Sequence, residues 1–136
     1  MKALVRELIQ RFPVVRCEYT DRDVPLTSSG RLYIYTGNSE KTIYPAPEIN
    51  WRFRAHHDMV HRKLRRGFSF EEEKLVTQEG ILVLGLQCSP QLADVYWADN
   101  VGQQEYYRLH DAFPNNQQQF VIDYIQGESI WKNREY

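Results

Sequence analysis

The sequence predicts a mainly α-helical fold: a single compact helical domain, residues 1–136, of about five helices with a small β-hairpin near the N-terminal third. Apolar residues recur every three or four positions through most of the chain, which is the spacing of one helix face. Serine, proline and glycine signals separate these stretches. The 136 residues suffice for one domain without disulfides, and the aromatic share of 13% indicates a core built on large rings.

The N-terminal third carries the first predicted helix and two β-like runs. Leu4, Leu8 and Phe12 recur at helical spacing, so residues 2–12 are expected to form a helix that Pro13 ends. After it, "VVRCEY" and "RLYIYTG" have β-like composition, and the intervening "DVPLTSSG" is typical of a turn. These two runs predict the small hairpin.

The second and third helices are predicted on either side of a short turn. The second runs from Glu48 to a stop at Gly67, and its apolar stripe consists of Ile49, Phe53, Val60 and Leu64. Ser69 begins the third helix, because Glu72 follows three places later, at the spacing of a capping box. Gly80 is a candidate break in this largely apolar helix.

Two more helices are predicted in the C-terminal part. The fourth starts at Ser89 and Pro90, a cap followed by proline in the first turn, and runs to about His110. The fifth begins at Asn115 or Asn116 and ends at a glycine.

Composition limits the classes of partner. The net charge of −1 creates no global field that attracts nucleic acid or an anionic membrane. No stretch approaches the ~20 apolar residues of a membrane span. Cys17 and Cys88 lack CxxC spacing, which suits a reducing compartment. We therefore expect a soluble cytoplasmic protein with no transmembrane segment and no specific nucleic-acid partner, while its small-molecule substrate or partner protein stays unidentified.

The stretch "NWRFRAHHDMVHRKLRRGFSFEEEK", residues 50–74, holds three of the four histidines. On a helix that turns about 100° per residue, His57 and His61 lie one turn apart on the same face. This is how a helix offers two imidazoles to one metal. His56 falls on the opposite flank. Further ligands must come from another element, and the turn at Gly67 brings back the glutamates of the next helix.

The letters HDMVH at residues 57–61, eleven further residues and Glu73 form an HDxxH-x11-E pattern. This pattern resembles the metal-binding motif of the Coq4 family, helical proteins of ubiquinone biosynthesis. The resemblance covers residues 57–73 only. It implies a divalent metal held by His57, Asp58, His61 and Glu73, and a link to oxidative decarboxylation of a quinone-precursor ring. Zinc is the default for these ligands, and iron or manganese would suit open coordination positions. The alternative is a polar, solvated helix face.

Three polar residues on the fourth helix, Asp99, Gln103 and His110, share its apolar stripe. A carboxylate there is costly unless it is paired, so Asp99 is predicted to accept the free N–H of a metal-ligating histidine. His110 is a candidate further ligand or proton shuttle. The alternative is that these side chains touch water.

The basic run after the histidines contains Arg62 and Arg65. These two residues are candidates to bind an anionic substrate beside the metal, and a solvated charged face is the alternative.

These observations predict a small helical metalloprotein. We expect a metal-dependent enzyme of the hydrolase or lyase/oxidative decarboxylase type, in which the metal activates water or a substrate oxygen and Asp58 or Glu73 acts as base. The alternative is a non-catalytic protein-interaction module in which the histidine and glutamate cluster is structural. A structural site closes its coordination with protein ligands, whereas a catalytic site keeps an open position.

Overall fold

The computed structural model describes residues 1–127 and 129–136, and this part of the chain contains six helices and two strands. The helix labelled α4 is a continuous run of three stretches, Pro90–Trp97, Ala98–Gly102 and Gln103–His110, of which the middle one is π-helical. The other elements are α1 (Lys2–Arg11), β1 (Glu18–Thr20), β2 (Tyr33–Tyr35), α2 (Pro47–Leu64), α3 (Phe70–Val83), α5 (Gln117–Ile125) and α6 (Ile130–Asn133).

The mainly α-helical prediction is confirmed, but the small β element is a parallel pair rather than a hairpin. Glu18 pairs with Tyr33 and Thr20 pairs with Tyr35 in parallel register. A parallel pair needs a connection of about a dozen residues or more, and residues 21–32 provide that length. Arg62 on α2 holds this connection by donating to the backbone carbonyls of Thr27 and Gly30.

The turn between α2 and α3 has a defined start and end. Arg65 adopts a left-handed conformation with φ 52° and ends α2, so the helix stops two residues before Gly67, the predicted stop. Ser69 caps α3, as predicted: its Oγ accepts from the backbone N–H of Glu72, and its hydroxyl donates to Glu72 Oε1. Glu72 Oε2 in turn accepts from the backbone N–H of Gly67 at 2.6 Å. This box fixes the register of α3 relative to the turn.

A large apolar cluster joins α1, α3, α4, α5 and α6. Its fully buried side chains include Leu8, Leu86, Val95, Tyr96 and Phe120. A smaller cluster of Leu32, Ile34 and Ala55 fastens the strand pair to α2. Aromatic rings supply much of the large cluster, in line with the composition.

Gly80 does not break α3. A Cβ at this position would overlap the hydroxyl of Tyr96 from α4, so the glycine provides the space for that side chain. The Tyr96 hydroxyl lies 2.9 Å from His56 Nε2 on α2. Tyr96 therefore links α2, α3 and α4 at the centre of the protein.

Across the described residues, no helix is both long enough and apolar enough to span a bilayer.

Candidate metal centre

Three side chains from α2 and α3 converge on one point. His57 Nε2 lies 3.1 Å from His61 Nε2 and 3.2 Å from Glu73 Oε2, and His61 Nε2 lies 3.1 Å from Glu73 Oε1. His61 and Glu73 are buried, and His57 is largely buried. The two imidazoles and one carboxylate therefore form a group that can hold a metal ion.

The local sequence explains why these atoms meet. His57 and His61 are separated by one turn of α2, so their rings lie on the same face. On α3, the capping box occupies Glu72 at the helix terminus. Glu73, the next residue, turns inward toward α2. The prediction that Glu72 caps the helix while Glu73 faces the histidines is confirmed.

The separations fit the donor atoms of a metal shell. Ligand atoms about 2.0–2.1 Å from a zinc ion stand about 3.3–3.4 Å apart in a tetrahedron. Adjacent ligands at the same bond length in an octahedral shell stand about 3.0 Å apart. The observed 3.1–3.2 Å lie between these two values. The donor set consequently suits a divalent ion in either geometry.

The hydrogen bond at His61 Nδ1 also favours a cation between His61 Nε2 and Glu73. His61 Nδ1 lies 3.1 Å from the carbonyl oxygen of Arg66. A carbonyl oxygen only accepts, so Nδ1 carries the proton and, in neutral His61, Nε2 presents its lone pair to Glu73. Two lone-pair atoms at 3.1 Å repel each other. Either an added proton or a metal ion must therefore lie between them.

The charges within the group shift both partners toward their ionised forms. Burial alone would raise the pKa of Glu73, but hydrogen bonds and charge from His57 and His61 lower that pKa to about 2. Burial would lower the pKa of His61, but the hydrogen bond and charge of Glu73 raise it. Glu73 is thus an anion at neutral pH, which is the form that binds a metal.

Asp58, the fourth predicted ligand, is not part of the converging group. Burial raises the pKa of its carboxyl group, while the nearby His57 and His61 oppose that rise. Asp58 is therefore close enough to influence the histidines electrostatically, although the three converging ligands are His57, His61 and Glu73.

The group opens on a polar cavity. His57 and Glu73 line a cavity of about 730 Å³ whose other walls come from the segment after β2, from α4 and from the segment before α5. Phe53 stacks on His57 with ring centroids 5.6 Å apart and lines the same cavity. On the other side, Phe68 covers His61 at 4.4 Å. The candidate metal site is thus shielded behind His61 and accessible beside His57.

Asp99 lines this cavity, but it does not orient a metal-ligating histidine as predicted. Its carboxylate accepts from the side-chain amide of Gln103 at 2.7 Å and from the hydroxyl of Tyr44 at 3.5 Å. The acceptor for His61 is instead the Arg66 carbonyl. Among the described residues, His57 Nδ1 has no hydrogen-bond partner.

His110 lies away from the cluster. Its Nε2 is 2.8 Å from the carbonyl oxygen of Lys132, and its ring stacks on Tyr106 at 4.1 Å. It therefore ties the end of α4 to the C-terminal segment.

The predicted anion-binding arginines have different surroundings. Arg62 is engaged with the backbone carbonyls of the connection between β1 and β2. Arg65 is exposed at the end of α2. Neither residue lines the cavity beside the metal centre.

The sequence placed Gln103 on the same helix stripe as Asp99, but its patterns did not indicate Tyr44 and Gln117 as members of the site. Gln103 donates to both Asp99 and Gln117, so it links α4 to α5 across the cavity wall. No sequence motif indicates an amide that donates to two side-chain oxygens from separate helices.

Comparisons with known protein families, with curated proteins and with solved structures found no match to this chain.

Proposed function

We propose that the protein is a divalent-metal-dependent enzyme. The metal would be bound by Nε2 of His57, Nε2 of His61 and the carboxylate of Glu73. One observation carries this proposal: the three ligand atoms converge at the wall of a cavity of about 730 Å³. Three protein ligands with an open approach are typical of catalytic sites, whereas structural zinc sites are closed by four protein ligands.

Zinc is the metal that this ligand set favours, because two histidines and one glutamate are a known combination in catalytic zinc sites. Iron or manganese is the second choice. The HDxxH-x11-E spacing, which resembles the Coq4 motif, supports the metal-binding assignment through the same residues, His57, His61 and Glu73.

When bound, the metal would acidify a water molecule or polarise a substrate oxygen. The chain itself has two tasks. Glu73 balances the charge at the centre, and the Arg66 carbonyl holds His61 with Nε2 directed at that centre. Of the two carboxylates predicted as base, Glu73 lines the cavity, whereas Asp58 is not among the lining residues. A ligand in the cavity would therefore meet Glu73 first.

The cavity walls indicate a polar ligand. Seven side-chain amides line them: Asn38, Asn50, Asn100, Gln103, Gln104, Asn115 and Gln117. Amides both donate and accept hydrogen bonds without carrying charge. We expect the substrate to bear several hydroxyl, carbonyl or amide groups, with its reacting oxygen beside His57.

A structural role is the second candidate. The direct contacts of 3.1–3.2 Å join α2 to α3, so the cluster can fasten these helices with protons in place of a metal. The protein would then be a non-catalytic interaction module.

Elemental analysis separates the two roles. Protein purified without a histidine tag should hold close to one divalent metal per chain, and His61→Ala should abolish that content because it removes a central ligand. His110→Ala is the matched control, since His110 lies outside the cluster, and it should retain the metal. A metal-free wild-type protein whose melting temperature stays unchanged on addition of zinc would contradict the proposal.

A further inference from the structure

We propose that Asp99 exchanges a proton, at its Oδ2 atom, with the ligand bound in the cavity. This inference rests on the proposed function, because it concerns the same cavity. It assigns Asp99 a role that differs from holding a histidine, since neither imidazole of the metal centre is among its hydrogen-bond partners.

The location of Asp99 is the first argument. It lines the cavity together with His57 and Glu73. It also belongs to the π-helical stretch Ala98–Gly102 in the middle of α4. Single π turns inside α-helices sacrifice regular hydrogen bonding and occur frequently at functional sites. Here the π turn places Ala98 and Val101 in the core, while Asp99 and Asn100 line the cavity.

The hydrogen bonds of Asp99 leave one of its oxygens available. Gln103 Nε2 donates to Asp99 Oδ1 at 2.7 Å and to Gln117 Oε1 at 3.0 Å, so both N–H groups of that amide are used and its orientation is fixed. Oδ2 has one long contact, 3.5 Å from the Tyr44 hydroxyl. A proton can therefore reside on Oδ2 without breaking the bond from Gln103.

Asp99 also lacks a compensating cation. Among the described residues, none of the ion pairs involves Asp99. A half-buried carboxylate with only neutral partners is costly in its charged form. Burial raises the pKa of Asp99 to about 7, and the hydrogen bonds from Gln103 and Tyr44 only partly oppose that rise. Both protonation states are thus accessible at neutral pH, which is what a proton-transfer group requires.

The neighbouring titratable groups do not compete for this role. Burial raises the pKa values of Tyr44 and Tyr96, and the charge of Asp99 raises them further, so both tyrosines keep their protons. The charged groups that line the same cavity, besides the metal centre, are Glu40, Lys41 and Arg54. The guanidinium of Arg54 donates to the carbonyls of Tyr35, Gly37 and Asn38.

The proton balance is simple. In its carboxylate form, Asp99 takes the proton of a ligand hydroxyl: the O–H bond of the ligand breaks and an O–H bond forms at Oδ2. In its protonated form, Asp99 returns that proton to an oxygen or nitrogen atom of the ligand. No oxidant or reductant takes part.

The test uses zinc-loaded protein and acetohydroxamic acid, a metal-binding probe that loses its hydroxyl proton on binding. Calorimetric titration at pH 8 in buffers of different ionisation enthalpy gives the number of protons released. In the wild type, Asp99 should take up that proton, so Asp99→Asn should release about one more proton per probe bound. The asparagine oxygen can still accept from Gln103, so the cavity wall should be preserved. Asp94→Asn is the control, because Asp94 is exposed on the same helix.

Equal proton release from wild type and Asp99→Asn would overturn the inference. If the wild type takes up no zinc, the proposed function fails before the probe is added, so the two failures are distinguishable. A second measurement needs no zinc: carbon-13 NMR titration of the aspartate carboxyl groups in metal-free wild type should show a group with a pKa far above the ordinary value of about 3.9, and its signal should be missing from Asp99→Asn, which distinguishes it from Asp58, whose pKa burial also raises. A titration in which every aspartate ionises near that ordinary value would also refute the role.

Discussion

Replacing Glu73 with glutamine removes the negative charge between His57 and His61 but preserves the size of the side chain. In the metal-free protein, this change should lower the free energy of unfolding, because the carboxylate is stabilised by the two imidazoles. The pKa of Glu73 is lowered from its ordinary value of 4.5 to about 2. At about 1.4 kcal/mol for each tenfold change in an acid constant, this lowering corresponds to about 3 kcal/mol, which solvent screening in the open cavity reduces to about 2 kcal/mol.

The pH dependence has a definite sign. Because the folded pKa of Glu73 is lowered, its contribution is present above pH 4.5 and is lost as the pH falls toward 2. Because the folded pKa of His61 is raised, its contribution is present below pH 6.5 and is lost as the pH rises through that raised value. The difference in stability between wild type and Glu73→Gln should therefore be greatest between about pH 4.5 and 6.5.

Zinc should extend this difference to higher pH. Protons compete with the metal for the imidazoles, so metal binding strengthens as the histidines lose their protons. Zinc at about 100 times its dissociation constant should add about 2.7 kcal/mol to the stability of the wild type. Glu73→Gln should gain much less, because one of the three ligands is then neutral and weaker.

The assay is urea unfolding at pH 3, 5.5 and 8.5, with a chelator or with zinc. Glu71→Gln is the matched control, since Glu71 is exposed on the same turn of α3 and, within residues 1–127 and 129–136, forms an ion pair with Lys74 alone. Identical pH profiles for wild type and Glu73→Gln in the chelator would refute the proposed ion pairing. Equal gains on addition of zinc would refute the metal assignment of Glu73.

Two further substitutions probe the framework around the site. Ser69→Ala removes the cap of α3 and should lower the free energy of unfolding in urea by about 0.5–2 kcal/mol, while the zinc stoichiometry should stay unchanged. Loss of zinc in this variant would show that the cap is needed to position Glu73. Gly80→Ala introduces a Cβ that overlaps the Tyr96 hydroxyl. It should therefore lower the free energy of unfolding by about 1–3 kcal/mol through overpacking. An unfolding curve identical to that of the wild type would contradict the close packing of α3 on α4.

Local sequence signals predicted the helices and the convergence of His57, His61 and Glu73. The one-turn spacing of His57 and His61 places their rings together in any helix, and the capping box of Ser69 and Glu72 sets the register that turns Glu73 inward. These features depend on residues close in sequence, so the pattern contains enough information to identify them.

Two wrong predictions, the contact of Asp99 with a histidine and the β-hairpin, have physical causes that sequence patterns do not show. The stripe on α4 assumed α-helical periodicity throughout, but the π stretch Ala98–Gly102 changes that periodicity. Asp99 therefore lies at the cavity wall and accepts a hydrogen bond from Gln103 instead of from a histidine of the candidate metal site. The connection between the parallel strands is held by hydrogen bonds from Arg62 on α2 to backbone carbonyls distant in sequence, and such bonds have no signature in the sequence.

The cavity has walls on two different helices. One wall belongs to α2, which carries His57. Arg54 on the same helix donates a hydrogen bond to the backbone carbonyl of Asn38, which also lines the cavity. The opposite wall belongs to α4, with Asp99, and α3 packs against both helices. Closely packed helices slide past one another by small shear movements. The hydrogen bond between the buried His56 on α2 and Tyr96 on α4 ties these helices together, so a shear movement that widened the cavity would strain this bond.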